Sequence, residues 1–280
     1  MDHRFQFVDV FSDLPYAGNP LPVFLDGDGM STVEMQKITR WMNFSETVFL
    51  LPPTDAGADY RVRIFTLAKE LPFAGHPTLG SCHAWLNAGG KAKNESEIIQ
   101  ECGVGLVSIR RKDSRLAFAA PGLIRSGPVA DKDLDTIATS LQIDRKAIVD
   151  SQWADNGPGW VVVLLESAEA VLDVRPLHTF PTPLDIGIVG PYDGNNDAAF
   201  ELRAVYTDHH GATREDPVTG SLNASVAQWL IASGRANAPF VASQGRCVGR
   251  AGRIEISQDS DGQVWVGGYT RTLIEGEVQA

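Results

Sequence analysis

One short segment of this chain occurs twice, and that repeat limits its possible folds more than any other feature. The first copy reads Glu70-Leu71-Pro72-Phe73-Ala74-Gly75-His76-Pro77 and the second Glu215-Asp216-Pro217-Val218-Thr219-Gly220-Ser221-Leu222. Glutamate, proline and glycine coincide without a gap, and each copy runs into an apolar stretch that reads as a helix. Each is preceded by a strand-like segment that contains arginine and ends aromatic-threonine, Arg63 to Thr66 and Arg203 to Thr207. A weaker match pairs Gly18-Asn19-Pro20 with Asn156-Gly157-Pro158. Self-similarity of this kind indicates a repeated architecture, here two homologous halves. In each copy a glycine stands at the mouth of a helix, where backbone can approach a ligand closely. The first turn of a helix has unpaired N–H groups and a partial positive charge, which suits a carboxylate or enolate oxygen. Two such mouths, one from each half, are expected to converge on one ligand in a cleft.

The surrounding pattern is that of an α+β protein. Phe5–Val10, 21–25, 45–51, Tyr60–Thr66, 98–109, 116–119, 160–165 and 202–207 read as strands from their alternation or their β-branched and aromatic content. Ser31 with Glu34 has capping-box spacing, and Met35, Ile38 and Met42 follow at helical intervals, so the pattern predicts a helix over about 32–42. Further helices are expected at 77–87, opened by Pro77 and closed by Gly89-Gly90, and at 131–141, 145–149 and 222–232. The stretch from Val241 to Leu273 reads as strand and turn. Pro121-Gly122 marks the expected division, giving an N-terminal half of 1–121, a C-terminal half of 122–272, and a tail of 273–280 returning to the first half. No GxGxxG follows a strand, so a dinucleotide site has no support.

Composition removes several functional classes. The chain has 280 residues, and its formal net charge of −11 argues against a nucleic-acid or anionic-membrane partner. The first residues alternate in polarity rather than forming a leader, and no apolar run reaches the length of a membrane span. Cys82, Cys102 and Cys247 are far apart and odd in number. Neither a disulfide framework nor a zinc site is expected, and a cytoplasmic location fits. Adjacent His209 and His210 lack a matching third ligand and read as a polar loop, so no metal is expected.

Taken together, Asn43-Phe44-Ser45-Glu46-Thr47-Val48-Phe49, the two repeat segments, Gly18-Asn19-Pro20 and Ile274-Glu275-Gly276-Glu277 resemble the signatures of PhzF-like (phenazine biosynthesis-like) proteins. The resemblance spans essentially the whole chain. It implies the diaminopimelate-epimerase fold, two pseudo-symmetric halves that are each a β-barrel-like sheet around a central helix. It also implies a cofactor-independent isomerase acting on a small carboxylate-bearing molecule, and a homodimer. Glu46 matches the family's acid/base; His76, Asp216 and Ser221 match substrate-binding and proton-relay positions; Gly75 and Gly220 match the backbone donors. Related amino-acid racemases use a cysteine before each of those glycines. This chain has Ala74 and Thr219 there, which sets thiol-pair chemistry aside.

Read from the residues alone, each of these positions also has a plainer account. Glu46 begins a strand, where alternation puts it on the face of Val48 and Leu50. An apolar setting there would raise its pKa toward neutrality, yet a solvated carboxylate at a strand end reads the same way. His76 and Ser221 stand where N-caps stand, Asp216 precedes a proline and suits a turn, and Glu70 and Glu215 are placed to brace the loop before each helix. A protein of the same fold that binds a small metabolite without catalysis is the alternative to an isomerase.

Overall fold

Strands predominate in the computed structural model, which describes residues 2–94 and 96–279. Met1 and Ala280, the outer limits of the expected divisions, lie outside the described residues. The chain divides into two units, Met1–Ala119 with Gly267–Ala280, and Ala120–Val266.

The first unit contains β1 (Asp2–Val10), β2 (Asn19–Phe24), α1 (Thr32–Met42), β3 (Glu46–Leu51), β4 (Tyr60–Thr66), β5 (Glu70–Leu71), α2 (Gly75–Asn87), β6 (Glu97–Cys102), β7 (Gly105–Lys112) and β8 (Arg115–Ala119). The second contains β9 (Arg125–Gly127), α3 (Asp131–Leu141), β10 (Asp150–Asp155), β11 (Val161–Leu164), α4 (Ala168–Asp173), β12 (Asp185–Pro191), β13 (Phe200–Thr207), β14 (Thr213–Asp216), α5 (Gly220–Ala232), β15 (Phe240–Gln244) and β16 (Gly252–Gln258). The last strand, β17 (Val264–Gln279), enters the first unit at Gly267.

In the first unit the pairing closes on itself. Strand β1 pairs with β2, β2 with β3, β3 with β4, β4 with β6, β6 with β7, and β7 with β8. Strand β8 pairs with β17, and β17 returns to β1 from Asp2↔Gln279 to Val10↔Thr270. Closure into a barrel leaves no free sheet edge. Helix α2 touches β1, β2, β3, β4, β6 and β8, and nine of its residues are buried. A helix apolar on all sides suits that enclosure. Gly80 lets it sit close, since a methyl there would lie 2.5 Å from Leu21 Cδ2.

Helix α1 covers the outer face of the same barrel. Ser31 and Glu34 form the capping box that their spacing predicts, and Met35 packs on Phe24, Phe49 and Phe65, all fully buried. Phe24 and Phe49 stack at 4.9 Å. Each such side chain contributes about 1.5–3 kcal/mol through burial. Since Phe49 lies under α1, strand alternation turns Glu46 and Val48 to the opposite, α2-facing side.

The second unit repeats the pairing scheme. In order, β1–β2, β2–β3, β3–β4, β4–β5, β4–β6 and β6–β7 are antiparallel, parallel, antiparallel, antiparallel, parallel and antiparallel. So are β10–β11, β11–β12, β12–β13, β13–β14, β13–β15 and β15–β16. Helix α5, like α2, has 13 residues and is buried on most of its surface. Ile186 and Ile188 of β12 join the apolar cluster formed with α3 and α4. The protein therefore has the α+β class expected from its sequence.

The repeated Arg and Glu form the same clamp in both units. Arg63 Nε and an Nη meet the two carboxylate oxygens of Glu70 at 2.7 and 2.6 Å. Arg203 meets Glu215 in the same fork at 3.1 and 2.8 Å. Each clamp ties a barrel strand to the short strand that leads into the buried helix, so the two glutamates do brace the loops.

Two local expectations need correction. Helices α2 and α5 start at Gly75 and Gly220, with Ala74 and Thr219 as N-caps in extended conformation. His76 and Ser221 are therefore the second residues of their helices rather than caps. Pro77 is the third helical residue, where its missing N–H still costs no intrahelical bond. The stretch expected to be helical at 145–149 is a single 3-10 turn, Arg145–Ala147.

Candidate functional site

In the first unit, β2, β3 and the mouth of α2 bring three polar side chains together. Asn43 ends α1 in the left-handed conformation, φ 58°, and redirects the chain into β3. Glu46, the first residue of β3, lies with Oε2 3.5 Å from His76 Nε2, and its side chain is 16% exposed. Asn19, the first residue of β2, has its amide Nδ2 3.4 Å from His76 Nδ1. An amide nitrogen only donates, so His76 Nδ1 accepts and the ring proton sits on Nε2, facing Glu46.

Burial sets the charge of His76. Only 4% of its surface is exposed, and desolvation pushes its pKa down to about 3. The Glu46–His76 contact is therefore between a carboxyl group and a neutral imidazole. The folded pKa lies below the unfolded value of about 6.5, so the unfolded chain binds the extra proton between those limits. Stability then falls as pH drops from about 6.5 toward 3, by at most about 1.4 kcal/mol per pH unit from this group. His76→Asn is expected to remove that part of the slope, as read by urea unfolding across the interval.

Behind His76 a buried glutamine anchors the start of α2. Gln100 of β6 is fully buried; its Oε1 accepts from Tyr60 and Ser81, and its Nε2 donates to Thr78. Thr78 in turn donates to the Ala74 carbonyl. The arrangement fixes the helix mouth and leaves no polar group of Gln100 idle.

The second unit builds a related mouth from different side chains. Thr219 Oγ1 donates to Asp216 Oδ2 at 2.6 Å. Gln244 of β15, also fully buried, accepts from the Thr219 amide at 3.0 Å and donates to Thr219 Oγ1. Ser221 Oγ accepts from the Trp160 indole at 3.0 Å, and Asn156 Nδ2 donates to the Ser221 carbonyl at 2.8 Å. Gly75 and Gly220 open the two helices, so each presents first-turn N–H groups.

Within their own units, then, the structure joins Glu46 to His76 and sets Asp216 beside Thr219 at the start of the α5 turn, with Ser221 held by Trp160. Sequence reasoning missed the roles of Asn19, Gln100, Trp160 and Gln244. A signal existed for the glutamines: both follow the repeated helices in strands, at nearly the repeat interval.

Comparison with known proteins follows the same direction. The family described as "Phenazine biosynthesis-like protein" matches residues 8–276. The "Antisense-enhancing sequence 1" protein of Schizosaccharomyces pombe is 33% identical over 99% of this chain and 98% of its own length. The trans-2,3-dihydro-3-hydroxyanthranilate isomerase of Pseudomonas aeruginosa is 35% identical over 63% of this chain and 62% of its own. Among solved structures, a Bacillus anthracis phenazine biosynthesis protein of the PhzF family superposes with TM-score 0.85 at 21% identity, covering all of both chains.

Proposed function

The chain belongs to the phenazine biosynthesis-like family and is an isomerase, and from that premise we propose that it moves a proton within a small carboxylate-bearing metabolite, with Glu46 as the acid/base and no metal or organic cofactor. The observation that carries this reading is the Glu46–His76 pair, a titratable carboxyl beside a buried neutral imidazole whose proton is oriented by Asn19. In this reading Glu46 removes a proton from a carbon activated by the substrate's carboxylate and returns it at another position. His76, whose Nε2 lies 3.5 Å from Glu46 Oε2, has a positioning role beside that carboxyl group. The first-turn amides at Gly75 bind the substrate carboxylate and the charge that develops on it. In the second unit Gly220 presents the equivalent amides, with Asp216 and Ser221 as polar groups suited to an amine or hydroxyl. The matched pairing order and the two Arg–Glu clamps support reading the units as homologous halves.

No helix among the described residues is long and apolar enough to cross a membrane. A cytoplasmic homodimer completes the proposal, and light scattering on purified protein tests the dimer. The activity test incubates metal-free protein with trans-2,3-dihydro-3-hydroxyanthranilate and with a panel of small cyclic and linear amino and hydroxy acids, and identifies products by NMR. An isomer with the mass of its parent is the expected product. No isomer from any compound, with chelator present or absent, would overturn the proposal.

A further inference from the structure

A serine or threonine inside a helix commonly returns its hydroxyl proton to a carbonyl one turn back, and the buried helices of this chain follow that habit. Thr78 donates to the Ala74 carbonyl, Ser81 to that of Thr78, and Ser225 to that of Leu222. Ser221, in the first turn of α5, departs from it. Its Oγ accepts from the Trp160 indole N–H at 3.0 Å. An indole nitrogen only donates, so the Ser221 hydroxyl keeps its own proton. Among the described residues that proton meets no acceptor. Ser221 is half-buried, so a ligand at the mouth of α5 can reach it.

The loop between β10 and β11 is built to hold that indole in place. Asp155 Oδ1 accepts from the Gly157 and Gly159 amides at 2.7 and 2.8 Å. Both glycines have positive φ, 142° and 104°, where a side chain would be strained. The Trp160 carbonyl accepts from the Ala154 amide at 3.0 Å, and Trp160 is 4% exposed. From the same loop Asn156 Nδ2 donates to the Ser221 carbonyl at 2.8 Å. A carbonyl only accepts, so this bond fixes which end of the Asn156 amide is nitrogen. It leaves Asn156 Oδ1 a buried oxygen with no hydrogen-bond partner among the described residues. A buried acceptor without a donor is costly. The loop thus brings one unspent donor and one unspent acceptor to the start of α5. A hydroxyl group, donor and acceptor at once, is the complement of that pair.

We propose that Trp160 is a positioning residue of this isomerase: its indole turns the Ser221 hydroxyl into a donor for an oxygen of the substrate. Trp160 thereby favours acids that present a hydroxyl to the α5 mouth over those that present an ammonium. This role rests on the proposed function, deepens it by naming the group recognised, and lies wholly within the second unit. An ammonium carries no lone pair, so beside Ser221 it leaves the serine proton without an acceptor. A hydroxyl takes that proton and has one of its own to give to Asn156 Oδ1. Without the indole N–H, Ser221 is free to return its proton to its own helix, as Ser225 does, and the preference is lost.

The test compares full-length wild type, Trp160→Phe, Ser221→Ala and the double variant. Phenylalanine keeps an aromatic ring and removes the N–H. The probes are trans-2,3-dihydro-3-hydroxyanthranilate and matched pairs from the panel, mandelate against phenylglycine and malate against aspartate. Calorimetric titration reads binding, and proton NMR reads product. Proton–nitrogen correlation spectra follow the indole signals of the six tryptophans, and the signal missing from Trp160→Phe belongs to Trp160. Trp160→Phe is expected to weaken hydroxy-acid binding about threefold to tenfold, the worth of one hydrogen bond, and to leave the matched amino acid unchanged. The same loss is expected in Ser221→Ala, with no further loss in the double variant. For a compound that is turned over, the change is expected in KM more than in kcat, and hydroxy acids are expected to move the Trp160 signal. Thermal melts identify a folding defect; if Trp160→Phe has one, Ser221→Ala, which keeps the indole, still has to show the selective loss. Equal weakening of both members of a pair, a full Trp160→Phe effect without Ser221, or a Trp160 signal that no compound moves overturns the role of Trp160. An isomer from none of the compounds overturns the proposed function itself.

Discussion

Glu46→Gln is expected to lower kcat by about 10²–10⁴-fold, the range that a positioned general acid/base supplies, while KM and thermal stability change little. The amide keeps the size of the carboxyl group and can still meet His76 Nε2, 3.5 Å away, but it has no proton to exchange in the working pH range. The arrangement is asymmetric in a way that makes this informative. His76 is held neutral by burial, so it is not placed to substitute as an ionised acid near pH 7. Asn19 occupies its other nitrogen, so the ring is also unable to relay a proton through Nδ1 without breaking that contact. Steady-state kinetics with the substrate identified from the panel, alongside a melting curve, checks both halves of the expectation. A loss of activity matched by a large fall in melting temperature would point to packing instead.

The second large effect is on stability, and it differs between two clamps of the same design. Glu215→Ala is expected to destabilise the chain by about 3–5 kcal/mol, because it strands a buried guanidinium. Arg203 and Glu215 side chains are 5% and 11% exposed, and Arg203 also donates to the Val171 and Val174 carbonyls. Glu70→Ala, which breaks the equivalent pair, is expected to cost only up to about 1 kcal/mol. Arg63 and Glu70 are 25% and 38% exposed, so water replaces the lost partner. At about 2–4 °C per kcal/mol for a domain of this order, the first change lowers the melting temperature by roughly 10 °C and the second by a few degrees at most. Scanning calorimetry on the two variants reads the contrast directly.

The repeat was legible because its function is local. Arginine, glutamate, proline and glycine each do their work within one strand-loop-helix segment, so their spacing survives in the sequence even where the side chains between them differ. The α1 capping box was legible for the same reason. What escaped notice depends on the register of segments far apart. Strand β12 and the six-residue helix α4 lie in a stretch broken by Pro176, Pro181, Pro183 and Pro191, which reads as loop. Asp185-Ile186-Gly187-Ile188 has no evident likeness to Glu46-Thr47-Val48-Phe49, and only the pairing of each strand with its arginine-bearing neighbour aligns them. The start of α2 lies two residues before the expected one because Pro77 suits the first helical position as well as the third, and that of α5 because Ser221 suits an N-cap as well as a first-turn position. Asn19 was visible as part of a motif, but its contact with a ring 57 residues away is a product of the barrel.

Hydrogen tracing tests the central claim most directly: wild type and Glu46→Gln, each shown by thermal shift to bind the chosen carboxylate substrate, are incubated with it in D2O and followed by proton NMR. The account predicts that wild type exchanges hydrogen at a carbon adjoining the activated carboxylate system and forms an isomer, while Glu46→Gln binds without exchange. Equal exchange by both proteins would contradict it, since the proton would then be carried by a group other than Glu46.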